Sequence, residues 1–370
     1  MSSAKEASPT RVSDHLHFFL GDRFAEWLIV RLHWSPALTA LAAGGLYIIT
    51  NLIMALAMGT VVSTPTRRGL LNDGGWWILD FVVIPIIFGY YVWLCQAPES
   101  VVRKLEESGV LVPGEKDVRD ASRLLASRWP TYLSLALSAV MAILFFLMVL
   151  GTPPIWWNSS PLTSSLNVLL YIPIYFAAFS VIIRYLVTTR ALGLLLRNVV
   201  LNPLHPDRAG GLRPLGQYAL KTTYPITLLG VAAVLFEYWL YLGGDFATAY
   251  VTHGIVILYF VLAPVIFFLP LWATHGAMRR AKEELLLGIS RQFNQDFSRA
   301  YMEVTAPSRA LRDNVEKVEQ LQKLHDLTSA FPVWPFDAQT IRRFLVTVLS
   351  PLLALLLTLL GEALTKLLFR

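Results

Sequence analysis

Ionisable side chains inside the long apolar stretches of this sequence are the residues best placed to carry chemistry. Asp80, Glu237 and Glu362 each lie within an apolar run, and His253 lies near the start of another. Such groups are costly in hydrocarbon, so they usually mark an ion pathway, a proton relay or a substrate site. All four fall toward the same predicted face of the membrane, where an outer vestibule of carboxylates would attract cations and repel anions. The alternative is that each lies among lipid headgroups or pairs with a nearby Lys or Arg.

A second group lies in the loop that interrupts the apolar runs in the middle of the chain. Its charged residues and turn glycines are His205, Asp207, Arg208, Gly210 and Gly211. The prolines and glycines force a tight turn, which can bind an ion, bind an anion or brace neighbouring helices. Bracing is favoured, because an aspartate in a turn usually bonds its own backbone. We predict a cytoplasmic coupling loop in which Asp207 accepts from Arg208 or from the arginines at 342 and 343.

The composition defines the class of protein. Apolar residues make up 55% of the 370 residues and charged residues 15%, with a mean hydropathy of +0.54. This is too apolar for a soluble domain of this length and predicts an all-α, multi-pass membrane protein. We expect membrane lipid as a partner. The net charge of +6 reflects membrane topology and does not indicate a nucleic-acid partner.

An enzymatic function is not expected. The sequence has no P-loop, no HExxH, no GxSxG elbow and no dinucleotide-binding fingerprint. Cys95 is the only cysteine, which excludes an intrachain disulfide and a cysteine-based metal site. His253 and His275 would lie roughly 33 Å apart on one helix, too far to share a metal or haem. We therefore predict no cofactor and no metal.

Seven apolar runs reach the roughly 20 residues needed to cross a bilayer. They cover residues 37–62, 76–95, 131–150, 166–187, 220–242, 250–272 and 344–364. Of the 31 Lys and Arg residues, 27 fall on one side of this arrangement. The positive-inside rule makes that side cytoplasmic, with the N-terminus cytoplasmic and the C-terminus external. Trp76, Trp77, Trp156 and Trp157 are expected as outer-interface anchors.

The segments outside the spans indicate a helical cytoplasmic domain. Residues 1–36 are predicted to be a cytoplasmic segment whose residues 14–32 form an amphipathic helix on the membrane surface. Spans 1–6 occupy residues 37–272 and include cytoplasmic helices within 98–128 and the loop at 202–218. The helical patterns of the fourth and sixth spans continue well past the bilayer. Residues 273–338 are predicted to fold as a hairpin, and residues 339–370 contain the seventh span.

The seventh span suggests a pore. Leu352, Leu355 and Leu359 belong to a nearly pure aliphatic stretch that follows Pro351 and precedes Glu362. A ring of such leucines would close a pore by excluding water, and a ring of carboxylates at the outer mouth would select cations. The competing interpretation is that this helix simply faces lipid.

The layout resembles that of the seven-transmembrane ion channel superfamily that includes insect olfactory and gustatory receptors. The resemblance rests on the seven spans, the long helices entering a cytoplasmic domain, and a last helix split by the turn at residues 331–337. The Thr-Tyr and Gln-Phe signature of the gustatory last helix is absent from residues 344–364. The resemblance implies a tetramer, a pore lined by the seventh helix and subunit contacts made by cytoplasmic hairpins.

These observations together predict a homo-oligomeric, cation-permeable channel in the cell membrane, specifically a bacterial inner membrane. A secondary transporter of a small or lipophilic solute is the main alternative. A third possibility is a sensory or scaffold protein that acts through its cytoplasmic helices.

Overall fold

The computed structural model of the chain describes residues 16–19, 21–65, 67–152, 154–200, 205, 207, 209–242, 246–303, 309–336 and 338–368. Within these ranges, the side chains are not described at residues 241–242, 246–253, 255, 303, 309–314, 338, 354–359 and 361–368, where the backbone alone is described. The protein is 81% helical and has no β-strand in the described ranges. The predicted all-α class is confirmed.

The helices begin where the sequence supplies capping residues. The Ser35 hydroxyl accepts from the backbone N–H of Leu38 before Pro36 starts α2, and Ser160 forms a capping box before Pro161 starts α7. In chain order the helices are α1 (Arg23–Glu26), α2 (Pro36–Ala57), α3 (Gly74–Ile78), α4 (Ile84–Glu107), α5 (Glu115–Ala126), α6 (Trp129–Leu150), α7 (Pro161–Leu195), α8 (Arg213–Leu242), α9 (Phe246–Glu303), α10 (Arg309–Ser329) and α11 (Ala338–Leu368). Two π-helical turns, Trp27–Arg31 and Leu79–Val83, extend α1 and join α3 to α4.

Six helical stretches are long and apolar enough to cross a membrane. They are Pro36–Ala57, Gly74–Glu107, Glu115–Leu150, Pro161–Leu195, Arg213–Leu240 and Val256–Met302. The protein therefore has the features of a multi-pass membrane protein. α11 contains 31 residues, but the side chains of much of its second half are outside the described set. The seventh span and the sides on which the termini lie stay predictions.

Two helices are much longer than a bilayer requires. α7 has 35 residues and α9 has 58, so α9 is about 87 Å long at about 1.5 Å per residue. α10 packs back along α9. Lys282 of α9 donates to the carbonyl of Ser329, the last residue of α10, and to that of Phe331 just after it. The separate helix expected after Pro98 is instead the end of α4, which continues through that proline to Glu107.

The N-terminal segment differs from the predicted amphipathic surface helix over residues 14–32. Among the described residues of this range, only Arg23–Arg31 are helical, and residues 14, 15 and 20 are outside the described ranges. Leu16, Phe18 and Leu28 are buried among the other helices. The segment packs into the bundle because Asp22 caps α1 and also reaches an arginine inside the protein, as described below.

The largest hydrophobic core lies on the side that carries the loops between α4 and α5 and between α7 and α8, which we call the loop side. The positive-inside rule predicts this side to be cytoplasmic. The core joins the ends of α4 and α7 to α5 and to the start of α8, through residues such as Leu105, Leu195 and Leu215. Met278 of α9 and Phe331 after α10 belong to the same core. The base of the α9–α10 hairpin is therefore anchored on the loop side.

On the opposite side, three of the four tryptophans expected as interface anchors are buried. Trp156 is 0% exposed and lies edge-on to Trp76, which stacks on Trp157. The indole N–H of Trp156 donates to Asp73 at 2.9 Å. This bond satisfies the Trp156 indole away from water. Because all three side chains are buried within the protein, they do not form a belt facing the lipid headgroups.

Tyrosine hydroxyls bridge neighbouring helices at proline-bent turns. Each accepting carbonyl lies three or four residues before a proline, in the turn where that proline cannot donate a backbone hydrogen bond. We call these the Tyr–Pro contacts. They are Tyr47 to the Leu170 carbonyl before Pro173, Tyr90 to Thr222 before Pro225, Tyr185 to Ile266 before Pro270, and Tyr259 to Val348 before Pro351.

Candidate functional site

Asp80 lies in the π-helical turn Leu79–Val83 and is 1% exposed. Its carboxylate accepts from the Asn51 side-chain amide of α2 at 2.8 Å. π-helical turns occur frequently at functional sites. The Asn51 side chain is 3% exposed, and its carbonyl oxygen has no hydrogen-bond donor in the described part of the chain. The pair thus combines a carboxylate with a free amide oxygen, and oxygen atoms of both kinds coordinate hard cations.

The other predicted vestibule residues are distributed as follows. Glu237 of α8 is 5% exposed, and α8 also contacts the π-helical turn that carries Asp80. Within one chain, these two carboxyls are enclosed and do not line an open vestibule. Only the backbone is described at His253 and Glu362. Whether the four residues form an outer vestibule in the assembled protein stays a prediction.

Asp73, which directly precedes α3, is a further buried carboxyl. It caps α3, accepting from the backbone N–H of Trp76 as well as from the Trp156 indole. Burial raises the pKa of Asp73, although both hydrogen bonds and the positive charge of Arg68 act in the opposite direction. Asp73 therefore fixes the segment between α6 and α7 to the start of α3.

The second half of α11 was the predicted gate. Leu352 is 38% exposed, whereas only the backbone is described at Leu355 and Leu359. α11 packs mainly on α8 through one face, which includes buried Phe344 and Val348. The opposite face is apolar and uncovered within the chain, with Leu345, Leu349 and Leu353 each at least half exposed.

The predicted coupling loop is braced by Asp207. One carboxylate oxygen accepts from the backbone N–H groups of Ala209 and Gly211 at 2.9 and 3.0 Å and lies 2.8 Å from His205 Nδ1. The other accepts from the backbone N–H of Arg213 at 3.2 Å, at the start of α8. Burial alone would raise the pKa of Asp207, but these hydrogen bonds outweigh it and lower the pKa.

Among the described residues, the partners of Asp207 are backbone N–H groups and His205, and they do not include Arg342 or Arg343. Arg342 and Arg343 are exposed, and Arg208 lies outside the described residues. Asp207 has these partners because the glycine-rich turn places its own backbone N–H groups within hydrogen-bond distance of the Asp207 carboxylate. Gly210 and Gly211 have φ of 66° and 91°, and a Cβ on Gly211 would lie 2.2 Å from Val110.

The same region meets the chain that leads into α11. A Cβ on Gly216, in the first turn of α8, would lie 2.4 Å from the carbonyl oxygen of Pro335. The start of α8 is therefore in close contact with the segment before α11. The role of the loop in coupling these helices is still a prediction.

A buried ion pair was missed by the sequence analysis. Arg184 of α7 lies 2.9 Å from Asp22, and their side chains are 7% and 0% exposed. The Tyr91 hydroxyl of α4 donates to Asp22 at 2.6 Å, and Arg184 donates to the Thr131 hydroxyl of α6 at 3.0 Å. We call these four residues the ion-pair cluster. It joins the N-terminal segment to three helices.

An apolar cavity of about 450 Å³ lies between α4, α7, α8 and α9. It is lined by aliphatic side chains and by Tyr90, Tyr185 and Tyr259. The hydroxyls of these tyrosines are engaged in Tyr–Pro contacts, so the cavity presents apolar surface almost throughout. Its volume falls within the range of about 300–1,000 Å³ that is typical of ligand pockets.

Comparison with known proteins gives no match to any family model, curated protein or solved structure.

Proposed function

We propose that the protein is a homo-oligomeric, cation-permeable channel whose pore is lined by α11. The observation that carries the proposal is that α11 packs on one face and leaves an aliphatic face uncovered. If several copies bring these faces together around an axis, they enclose an apolar constriction that opens and closes by wetting and dewetting. The resemblance in layout favours four copies. We place the channel in a cell membrane, specifically a bacterial inner membrane.

The α9–α10 hairpin supports assembly. Leu285, Leu287 and Phe297 of α9 and Leu324 and Leu327 of α10 are exposed although they lie beyond the apolar part of α9. Exposed apolar side chains outside the bilayer favour contact with another surface. In this proposal, that surface is the hairpin of a neighbouring subunit.

The channel proposal is tested with the purified protein in planar bilayers. Leu349→Ser and Leu352→Ser change the uncovered face of α11, and Leu41→Ser is the matched control because Leu41 of α2 is 74% exposed. A pore lined by α11 becomes leaky with either α11 substitution and stays unchanged with the control. If all three variants and the wild type give equal currents, α11 does not line the pore. The pore would then be sought around Asp80 and Glu237.

Selectivity has its own test. Neutralising Glu362 as Glu362→Gln lowers the ratio of cation to anion permeability if a ring of carboxylates stands at the outer mouth. The reversal potential in a salt gradient measures this ratio. An unchanged reversal potential would support the alternative, in which Glu362 lies among the lipid headgroups.

The apolar cavity favours a second candidate, a transporter of a lipophilic solute. Ala233→Phe would narrow the cavity, whereas Leu147→Phe on the exposed face of α6 serves as the control. A transporter gives slow, saturable flux that the first substitution reduces, and it gives no unitary currents. Absence of both flux and current would favour a sensory or scaffold protein that acts through its cytoplasmic helices.

A further inference from the structure

A second cavity, of about 640 Å³, lies between α7 and α9 on the loop side. Its lining includes Gly193, Arg197 and Asn198 from the end of α7 and Trp272, Gly276 and Arg280 from α9. Among the described residues, no carboxylate lines it. Arg197 and Arg280 therefore give the described part of the lining a positive charge.

The guanidinium groups of Arg280 and Arg197 have donors that can bind a ligand. In the described part of the chain, Arg280 has no ion-pair partner, whereas the adjacent Arg279 is bound to Glu283 at 2.8 Å. Arg197 uses one terminal nitrogen to bond Asp117 at 3.2 Å, and its side chain remains 57% exposed. A guanidinium group has five N–H donors, so Arg197 retains donors for a ligand.

The cavity lies at headgroup depth. Trp272 ends the predicted sixth span and is 70% exposed, as expected for an indole at a membrane interface. At about 1.5 Å per residue, Gly276 and Arg280 lie about 6 and 12 Å beyond Trp272 along α9. The headgroup region of a bilayer begins at this level. Basic pockets between helices at this depth suit the phosphates of anionic lipids.

The apolar cavity and the basic cavity are lined by the same faces of α7 and α9. On α9, Leu262, Ile266 and Leu269 line the apolar cavity, and the same stripe at spacings of three or four residues reaches Ala273 and Gly276 in the basic cavity. On α7, Ile182 and Leu186 lead in the same way toward Gly193 and Arg197. The two cavities thus lie along one seam, with the charged end at the headgroups and the apolar end in the hydrocarbon.

We infer that an anionic phospholipid binds in this seam, with its phosphate between Arg197 and Arg280 and an acyl chain in the apolar cavity. The exposed indole and the adjoining apolar cavity favour a lipid over free phosphate. The inference does not depend on the channel proposal. An acyl chain gains little by moving from bilayer to cavity, since both are apolar. The headgroup should therefore decide which lipid binds.

Binding is measured on the detergent-solubilised full chain with phosphatidylglycerol and phosphatidylcholine of identical acyl chains. Both lipids carry the phosphate, but phosphatidylcholine also carries a trimethylammonium group, which two nearby arginines repel. We therefore expect phosphatidylglycerol, a net anion, to bind at least about tenfold more tightly. Arg280→Gln should weaken phosphatidylglycerol binding about tenfold and reduce the difference in affinity between the two lipids. Arg279→Gln is the matched control, because Arg279 is on the same helix but does not line the cavity.

A second variant fills the cavity. A Cβ on Gly276 would meet nothing within 4 Å, so Gly276→Leu can be accommodated and should block phosphatidylglycerol. Glycerol phosphate, which carries the phosphate without acyl chains, should fail to compete. Each of three results would overturn the inference. The first is equal affinity for the two lipids, and the second is an equal loss of phosphatidylglycerol affinity in Arg279→Gln and Arg280→Gln. The third is full competition by glycerol phosphate. The last result would identify a site for free phosphate.

Discussion

The contact between Tyr185 and the Ile266 carbonyl provides a direct test of how the bent helices are held together. Pro270 cannot donate to that carbonyl, so the Tyr185 hydroxyl from α7 replaces the missing bond. Tyr185 is 4% exposed, and water does not easily replace the hydroxyl. We predict that Tyr185→Phe leaves the carbonyl of Ile266 without a donor.

The expected cost follows from the chemistry of that carbonyl. An unsatisfied buried acceptor costs about 1–3 kcal/mol, whereas hydrogen bonds between membrane helices average about 0.6 kcal/mol and reach about 1.7. Because no intrahelical donor is available, the cost should lie near the upper end of the second range, at about 1–1.5 kcal/mol. Unfolding in mixed detergent micelles measures it.

A double-mutant cycle isolates this explanation. In Pro270→Ala, the backbone N–H of residue 270 can donate to the Ile266 carbonyl, so adding Tyr185→Phe should then cost about 0.5 kcal/mol or less. Tyr175→Phe is the control on the same helix, because no hydrogen bond of its hydroxyl is found in the described part of the chain. The same cost for Tyr185→Phe in both backgrounds would refute the reasoning.

Three further predictions concern polar groups, and unfolding in detergent checks each one. Arg184→Met should lower the free energy of unfolding by about 3–5 kcal/mol, because it leaves the Asp22 carboxylate buried and unpaired. Adding Asp22→Asn should recover much of this loss, and no recovery would contradict the pairing. Asp207→Ala should cost about 2 kcal/mol at neutral pH. Because folding lowers the pKa of Asp207, this difference should persist above the ordinary carboxyl pKa of about 4 and disappear as the pH falls below it; a constant difference would contradict it. Asp80→Leu should lower the free energy of unfolding by about 1–3 kcal/mol, because it leaves the Asn51 amide unpaired, and Asp80→Asn should lower it by less. Equal losses for the two variants would contradict the hydrogen bond between Asn51 and Asp80.

Much of the helical architecture could be predicted from local sequence. Ser35 with Pro36 and Ser160 with Pro161 mark helix starts, and the apolar runs give the lengths of the spans. The extension of α9 past the bilayer followed from its continuous helical pattern. The continuation of α4 through Pro98 did not, because a proline ordinarily predicts a helix boundary.

The partners of polar groups could not be predicted in the same way. Arg184 was counted among the charges that set topology, yet it pairs with Asp22, which is far away in sequence. An aspartate just before a short helix gave a signal for a cap, but that signal does not show that the second carboxylate oxygen binds an arginine. Pairing of this kind is determined by which helices become neighbours, and one sequence alone does not specify that.

The Tyr–Pro contacts also connect α11 to the rest of the bundle. Tyr47 joins α2 to α7, Tyr185 joins α7 to α9, and Tyr259 joins α9 to α11 at the Val348 carbonyl. Each contact acts where a proline has weakened the accepting helix, so a helix can bend there without leaving a carbonyl unsatisfied. If α11 moves during gating, Pro351 is the natural point of bending and the Tyr259 contact resists that motion. In the proposed channel, the long helix α9 links this bend to the α9–α10 hairpin, so the proposal predicts that the loop side and the pore respond to each other.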